Sequence, residues 1–395
     1  YRTFIMQNIG ENRIALSSDF ELKPKPSAPP MTNKRVNITP INGATNYNPQ
    51  DQIIFDCPTG KANQFLDCTS TVLKLSIKNT EASAPWAVDH SAASFIRKIE
   101  ILANGSTQIE VIDFYNDLYC KLMDTNYSSL DRQSYQSVYM GTDMPLGDSA
   151  GLTVNFSRGG QVVTAGATRN WYIPLISGIV GPGAGGKLLP IQHINELRVV
   201  VTLAPNTEPI ISGTSTATST NVWQVTSSEL IMNIVQLDEQ VNKMLHESNG
   251  GDVIRISSET WRGFQTVLQA SQTSDTVLMP QRLSSVKTLL LSYRSTGNFG
   301  VYTTGTISSR LNPFASGTPS FQSLIGNTYT PLKPIVNSQE LFIELQKSFH
   351  SIGNTNNKTV INSTTWNIAS EPTAAATSGT AINDGSTGQT AYNTY

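Results

Sequence analysis

The sequence predicts an all-β protein of two similar halves, with short helices in the connections. Three observations lead there. Only 14% of the 395 residues are charged and 38% are hydrophobic. Ser, Thr, Asn and Gly run through the whole length, which suits many short strands joined by polar turns better than long surface helices. Short runs of alternating or β-branched residues recur between Gly, Pro and Asn. The second half also echoes the first: Ser94-Phe95-Ile96-Arg97, followed by Ile99 and Ile101, returns as Ser284-Ser285-Val286-Lys287, followed by Leu289 and Leu291.

Residues 1–50 hold little apolar periodicity. The stretch 21–35, ELKPKPSAPPMTNKR, is basic and Pro-rich and reads as an extended arm with polyproline-like stiffness. Strands are expected at 52–57 (QIIFDC), 71–78 (TVLKLSIK), 95–102 (FIRKIEIL), 170–176 (NWYIPLI), 197–203 (LRVVVTL) and 223–235 (WQVTSSELIMNIV). Helices are expected at 112–124, where Ile112, Tyr115, Leu118, Tyr119 and Leu122 share a stripe, and at 238–247, with Val241, Met244 and Leu245 on one face. A third is expected at 337–350, capped by Asn337 or Ser338 and carrying Leu341, Leu345 and Phe349 on one face.

Charge and cysteines exclude several function classes. The 27 Lys+Arg against 29 Asp+Glu leave a net charge of −2 and no global field to draw nucleic acid or an anionic membrane. Cys57, Cys68 and Cys120 lack C-x-x-C spacing, which argues against a zinc finger and a disulfide framework. His90, His193, His246 and His350 lie in unrelated contexts, none beside a carboxylate or Cys at ligand spacing, and no carboxylate pair or catalytic triad is present. No catalytic, cofactor or metal residue is therefore assigned, and the chain is not read as an enzyme. The Asn-x-Ser/Thr triplets at Asn37, Asn104, Asn126, Asn155, Asn357 and Asn362 are of the number chance supplies in so Asn-, Ser- and Thr-rich a chain.

Gly181 to Lys187 spell G-x-x-x-x-G-K, a phosphate-binding loop short of its final residue. Leu188 stands where a Ser/Thr would hold Mg²⁺, and Pro190 stops any helix within a turn. The glycines are read as a loop between strands. Lys187→Ala is expected to leave the melting temperature unchanged, and neither protein should bind ATP with Mg²⁺ in calorimetry.

The order of these segments resembles the double jelly-roll major capsid proteins of the adenovirus and tailless-phage lineage, most of all those of virophages, polinton-like viruses, adintoviruses and large eukaryotic DNA viruses. The resemblance rests on residues 65–79 (FLDCTSTVLKLSIKN), 95–124 (FIRKIEILANGSTQIEVIDFYNDLYCKLMD), 171–204 (WYIPLISGI, then KLLPIQHINELRVVVTLA), and 279–294 (MPQRLSSVKTLLLSYR) with SQELFIELQKSFH. It implies two tandem eight-stranded jelly rolls: an arm over 1–50, a first roll over 51–237, a connecting helix and linker over 238–250, and a second roll over 251–395. It further implies a capsid protein of the virion that forms homotrimeric, pseudo-hexagonal capsomers contacting neighbouring capsomers and minor capsid or penton proteins. The arm, with Lys23, Lys25, Lys34 and Arg35, would be the part to reach an inner membrane or the genome, and no specific nucleic-acid site is expected. Only 45 residues follow His350, so the second roll is expected to be incomplete at its C-terminus, or completed by another chain. A carbohydrate-binding β-sandwich using Trp171, Trp223 and Trp261 is the alternative.

Overall fold

The computed structural model describes residues 31–127, 131, 135–142, 159–182, 188–212, 221–248, 258–267, 276–279, 285–290 and 320–349. Its strands are β1 (Met31–Ile38), β2 (Gln52–Asp56), β3 (Gln64–Asn79), β4 (Trp86–Asp89), β5 (Ile96–Ala103), β6 (Thr107–Asp113), β7 (Gly159–Val163), β8 (Thr168–Pro174), β9 (Leu188–Leu189), β10 (Arg198–Leu203), β11 (Ile210–Ser212), β12 (Trp223–Leu237), β13 (Phe321–Ile325) and β14 (Thr328–Ile335). The helices are α1 (Tyr115–Asn126), α2 (Ser137–Met140), α3 (Glu239–Ser248) and α4 (Ser338–Phe349).

Two antiparallel sheets carry the first half. One runs β1-β12-β3-β8, with β9 beside the start of β3; the other runs β2-β10-β5-β6. Counting those eight long strands in chain order, the first pairs with the eighth, the second with the seventh, the third with the sixth and the fourth with the fifth. This is one long hairpin rolled up so that alternate strand pairs fall in opposite sheets, the jelly-roll arrangement. A small third sheet, β11-β4-β7, is formed by the connections.

The core follows from period-two patterning. Leu73, Leu75 and Ile77 of β3, Ile99 and Ile101 of β5, Trp171 and Ile173 of β8, and Val199 and Val201 of β10 all point inward and are fully buried. At its centre Phe95, on a single 3₁₀ turn before β5, meets three tryptophans. Its ring centroid lies 6.0 Å from Trp86, 5.8 Å from Trp171 and 4.9 Å from Trp223, the last edge-on. One side chain thereby joins β4 of the small sheet to β8 and β12 of the first. All three indole N–H groups are satisfied: Trp86 donates to the Val222 carbonyl, Trp171 to the Gln161 amide oxygen and Trp223 to the Asn206 carbonyl.

Two expectations need correction. The roll starts at residue 31 and not 51, because Met31–Ile38 is a strand in full register with β12, from Met31 opposite Leu237 to Ile38 opposite Leu230. The Lys34 and Arg35 of the expected arm thus belong to an edge strand, with Asn37 donating to Glu229, which also pairs with Lys74 at 2.8 Å. Charged residues on an exposed edge also discourage pairing with another sheet. Second, Ile112 is not helical. β6 continues to Asp113, and Phe114, at φ 54°, turns the chain before α1 begins at Tyr115.

α3 starts where expected, with Asp238 accepting from the Glu239 N–H, and Asn242 ties it to the roll through Asn63 (2.7 Å) and Gln192 (3.1 Å). In the second half, hairpin β13–β14 leads into α4, whose Glu340 N–H is capped by Asn337. The succession β5–β6–α1 is therefore repeated as β13–β14–α4, each helix spanning 12 residues. The expected strand around Ser285 and Leu289 carries no regular secondary structure over the described residues 285–290. A strand exists only through a paired neighbour, and the described residues supply none there. Residues 1–30, with Lys23 and Lys25, and 351–395, on which the expectation of an incomplete second roll rests, lie outside the described residues.

Candidate functional site

Polar groups in the core are spent on holding loops. The turn after β8 shows how. Tyr115, at the start of α1, accepts the Ile176 N–H on its hydroxyl at 2.7 Å. Ser177, 1% exposed, accepts the Ile179 and Val180 N–H groups on Oγ, each at 3.1 Å, and donates to the Glu110 carboxylate. Glu110, also 1% exposed, takes the Gly178 N–H at 2.8 Å as well. A methyl group on Gly181 would lie 2.5 Å from the Leu175 carbonyl oxygen, so the tight fold-back requires glycine.

This turn is the stem of the G-x-x-x-x-G-K loop. The N–H groups of residues 178–180 point at Ser177 and Glu110, and a carboxylate at the stem repels a phosphate. Lys187 and residues 183–186 lie outside the described residues; Leu188 and Leu189 beyond them form β9, a strand and not a helix.

The histidines are dispersed. His90 is buried in the connection after β4, and His193 is on a 3₁₀ turn with its Nε2 3.0 Å from the Gln192 amide nitrogen. His246 is in α3, and His350 lies outside the described residues. Among the described residues no three His, Cys, Asp or Glu side chains converge as a metal site would need. Of the glycosylation triplets, Asn37 is in β1, Asn104 in the β5–β6 turn and Asn126 at the end of α1; Asn155, Asn357 and Asn362 lie outside the described residues. No described helix is long and apolar enough to cross a membrane.

All three thiols are buried and unbridged. Burial, helped by the charge of Asp56, pushes Cys57 up to about 12. Burial likewise pushes Cys68 up to about 11, against a backbone hydrogen bond from Leu189. A raised acid pKa means that the unfolded chain loses these protons first, near pH 8.5. Their contribution to stability is whole below that pH and declines as pH rises toward the folded values of about 11 and 12. The melting temperature is expected to fall progressively above about pH 9. Ellman's reagent at pH 8 should find no rapidly reacting thiol in the native protein and three in urea; fast native labelling would contradict this.

The tryptophans of the carbohydrate-binding alternative are placed against it. Trp171 and Trp223 are 1% and 0% exposed, and Trp261 packs half-buried against the core. A sugar-stacking platform needs an open ring face.

No protein-family model and no curated protein matches the chain. Solved structures do. PBCV-1 VP54, as fitted into the reconstruction of the virophage Sputnik, is 16% identical with a TM-score of 0.39 over 57% of this chain and 47% of that one. The Faustovirus major capsid protein is 9% identical with a TM-score of 0.37, over 60% and 59% of the two chains. The mavirus major capsid protein is 14% identical with a TM-score of 0.30, over 57% and 51%. The match thus covers about half the length of these capsid proteins.

Proposed function

We propose that this chain is a viral major capsid protein, placed in the virion shell, that trimerises into pseudo-hexagonal capsomers tiling an icosahedral surface. The observation that carries the reading is the rolled strand order of residues 31–237, closed from β1 to β12, with the connecting helix α3 following at once. The recurrence of hairpin and helix in β13–β14–α4 supports a second roll over 251–395. Two rolls per chain let three chains make a ring of six. A stiff sandwich with its loops gathered at two ends suits a wall, because side faces can pack against neighbours while end loops vary. The work is assembly and not turnover.

Partners would be two further copies within the capsomer, neighbouring capsomers, and minor capsid or penton proteins. Contact with a membrane or the genome would fall to residues before β1, including Lys23 and Lys25. Sedimentation or mass photometry at micromolar concentration tests the oligomer: a species three times the 42.9 kDa chain mass is expected, and a stable monomer would overturn the reading.

A further inference from the structure

We propose that Glu110 is a latch that fixes the start of the second half of the chain onto the first roll. The segment 258–263 has no regular secondary structure and is mostly exposed, yet it meets the roll at Glu259, Thr260, Trp261 and Gly263. Thr260 donates its hydroxyl to Glu110 Oε1, the oxygen that also receives the Gly178 N–H, while Oε2 receives Ser177. One buried carboxylate thus gathers three donors from two segments far apart in sequence. A buried carboxylate is costly unless hydrogen-bonded, so each donor it loses weakens the whole arrangement.

The backbone packing around it is equally close. A methyl group on Gly178 would lie 2.6 Å from the Glu259 carbonyl oxygen, and one on Gly263 would lie 2.8 Å from the Asp113 carbonyl oxygen. Between these contacts Trp261 packs on the core. Phe114, beside Gly263, is itself covered by the Arg97 guanidinium, 4.1 Å from its ring centre, and Arg97 is fixed by Glu208 at 2.9 Å. Glu259 reaches onward to pair with Lys287. The latch sets the position from which the second half departs, whatever the assembly it serves.

Arg262 is exposed between Trp261 and Gly263 and provides the readout. Trypsin can cut after Arg262 only when several flanking residues leave the roll, so the cleavage rate reports latch opening. The wild-type protein should be cut there slowly. Thr260→Val, which keeps shape but loses the donor, is expected to be cut after Arg262 about tenfold faster or more, with circular dichroism unchanged and melting lowered by no more than a few degrees. Thr260→Ser, which keeps the hydroxyl, should restore slow cutting. Gly178→Ala, acting from the other side, should also speed it. Wild-type cleavage rates after Arg262 in both Thr260→Val and Gly178→Ala, followed by mass spectrometry of the fragments, would overturn the proposal.

Discussion

Phe95→Ala is expected to cost about 3–5 kcal/mol, a large part of the stability of a domain this size. Phe95 is 0% exposed, and the large residues it touches come from three strands: Trp86 of β4, Trp171 of β8 and Trp223 of β12. Truncation leaves a cavity walled by three indoles whose N–H groups are each bonded to a fixed partner, so the rings cannot swing inward without breaking those bonds. It also removes ring contacts worth more than their buried area. Phe95→Leu, which refills part of the space, should recover a good part of the loss. Urea unfolding followed by tryptophan fluorescence checks this; a loss under about 1 kcal/mol for Phe95→Ala would show that the aromatic cluster does not hold the sheets together.

Ile38→Asp is expected to destabilise the roll by about 3 kcal/mol or more, because it removes an apolar side chain from the core and buries a carboxylate without a partner. Ile38 is 8% exposed at the end of β1 and belongs to the core cluster. Lys34→Asp, on the same strand but exposed, should shift stability by no more than about 0.5 kcal/mol. The contrast separates a strand from an arm. In a free arm both substitutions would be near neutral, and equal small effects in the same urea titration would remove β1 from the roll.

That contrast also explains what the sequence made legible. The strands β2, β10 and β12 and the helices α3 and α4 stand close to where pattern places them, since each has one apolar face and clear punctuation. β1 was hidden because MTNKRVNI meets the core only at Val36 and Ile38, and an edge strand needs polar residues where it meets water. Proline just upstream adds to the arm-like pattern. β4, β7 and β11 are three to five residues long, too short for any period to register. The start of α1 is not legible because Phe114 adopts a left-handed conformation usually signalled by Gly or Asn, so apolar spacing runs on unbroken from Ile112.

At the candidate site the loop stem was legible as structural from Leu188 and Pro190, but Glu110 was not. Its only signal is an acid within the apolar run IEVI, which reads equally well as an outward position on a half-buried strand. What turns it inward are partners 67 residues away, at Ser177, and 150 away, at Thr260. Tryptophan was misleading in the opposite sense. Trp171 and Trp223 served as possible platforms in sequence, yet both have indole partners inside the fold and fill the middle of the core.

Negative-stain or cryo-electron microscopy of the purified protein shows directly whether three chains form one capsomer. Particles with threefold symmetry and a pseudo-hexagonal outline are expected, in which six upright jelly rolls, two from each chain, surround the axis. Particles of single chains, or closed oligomers without that six-roll ring, would contradict it.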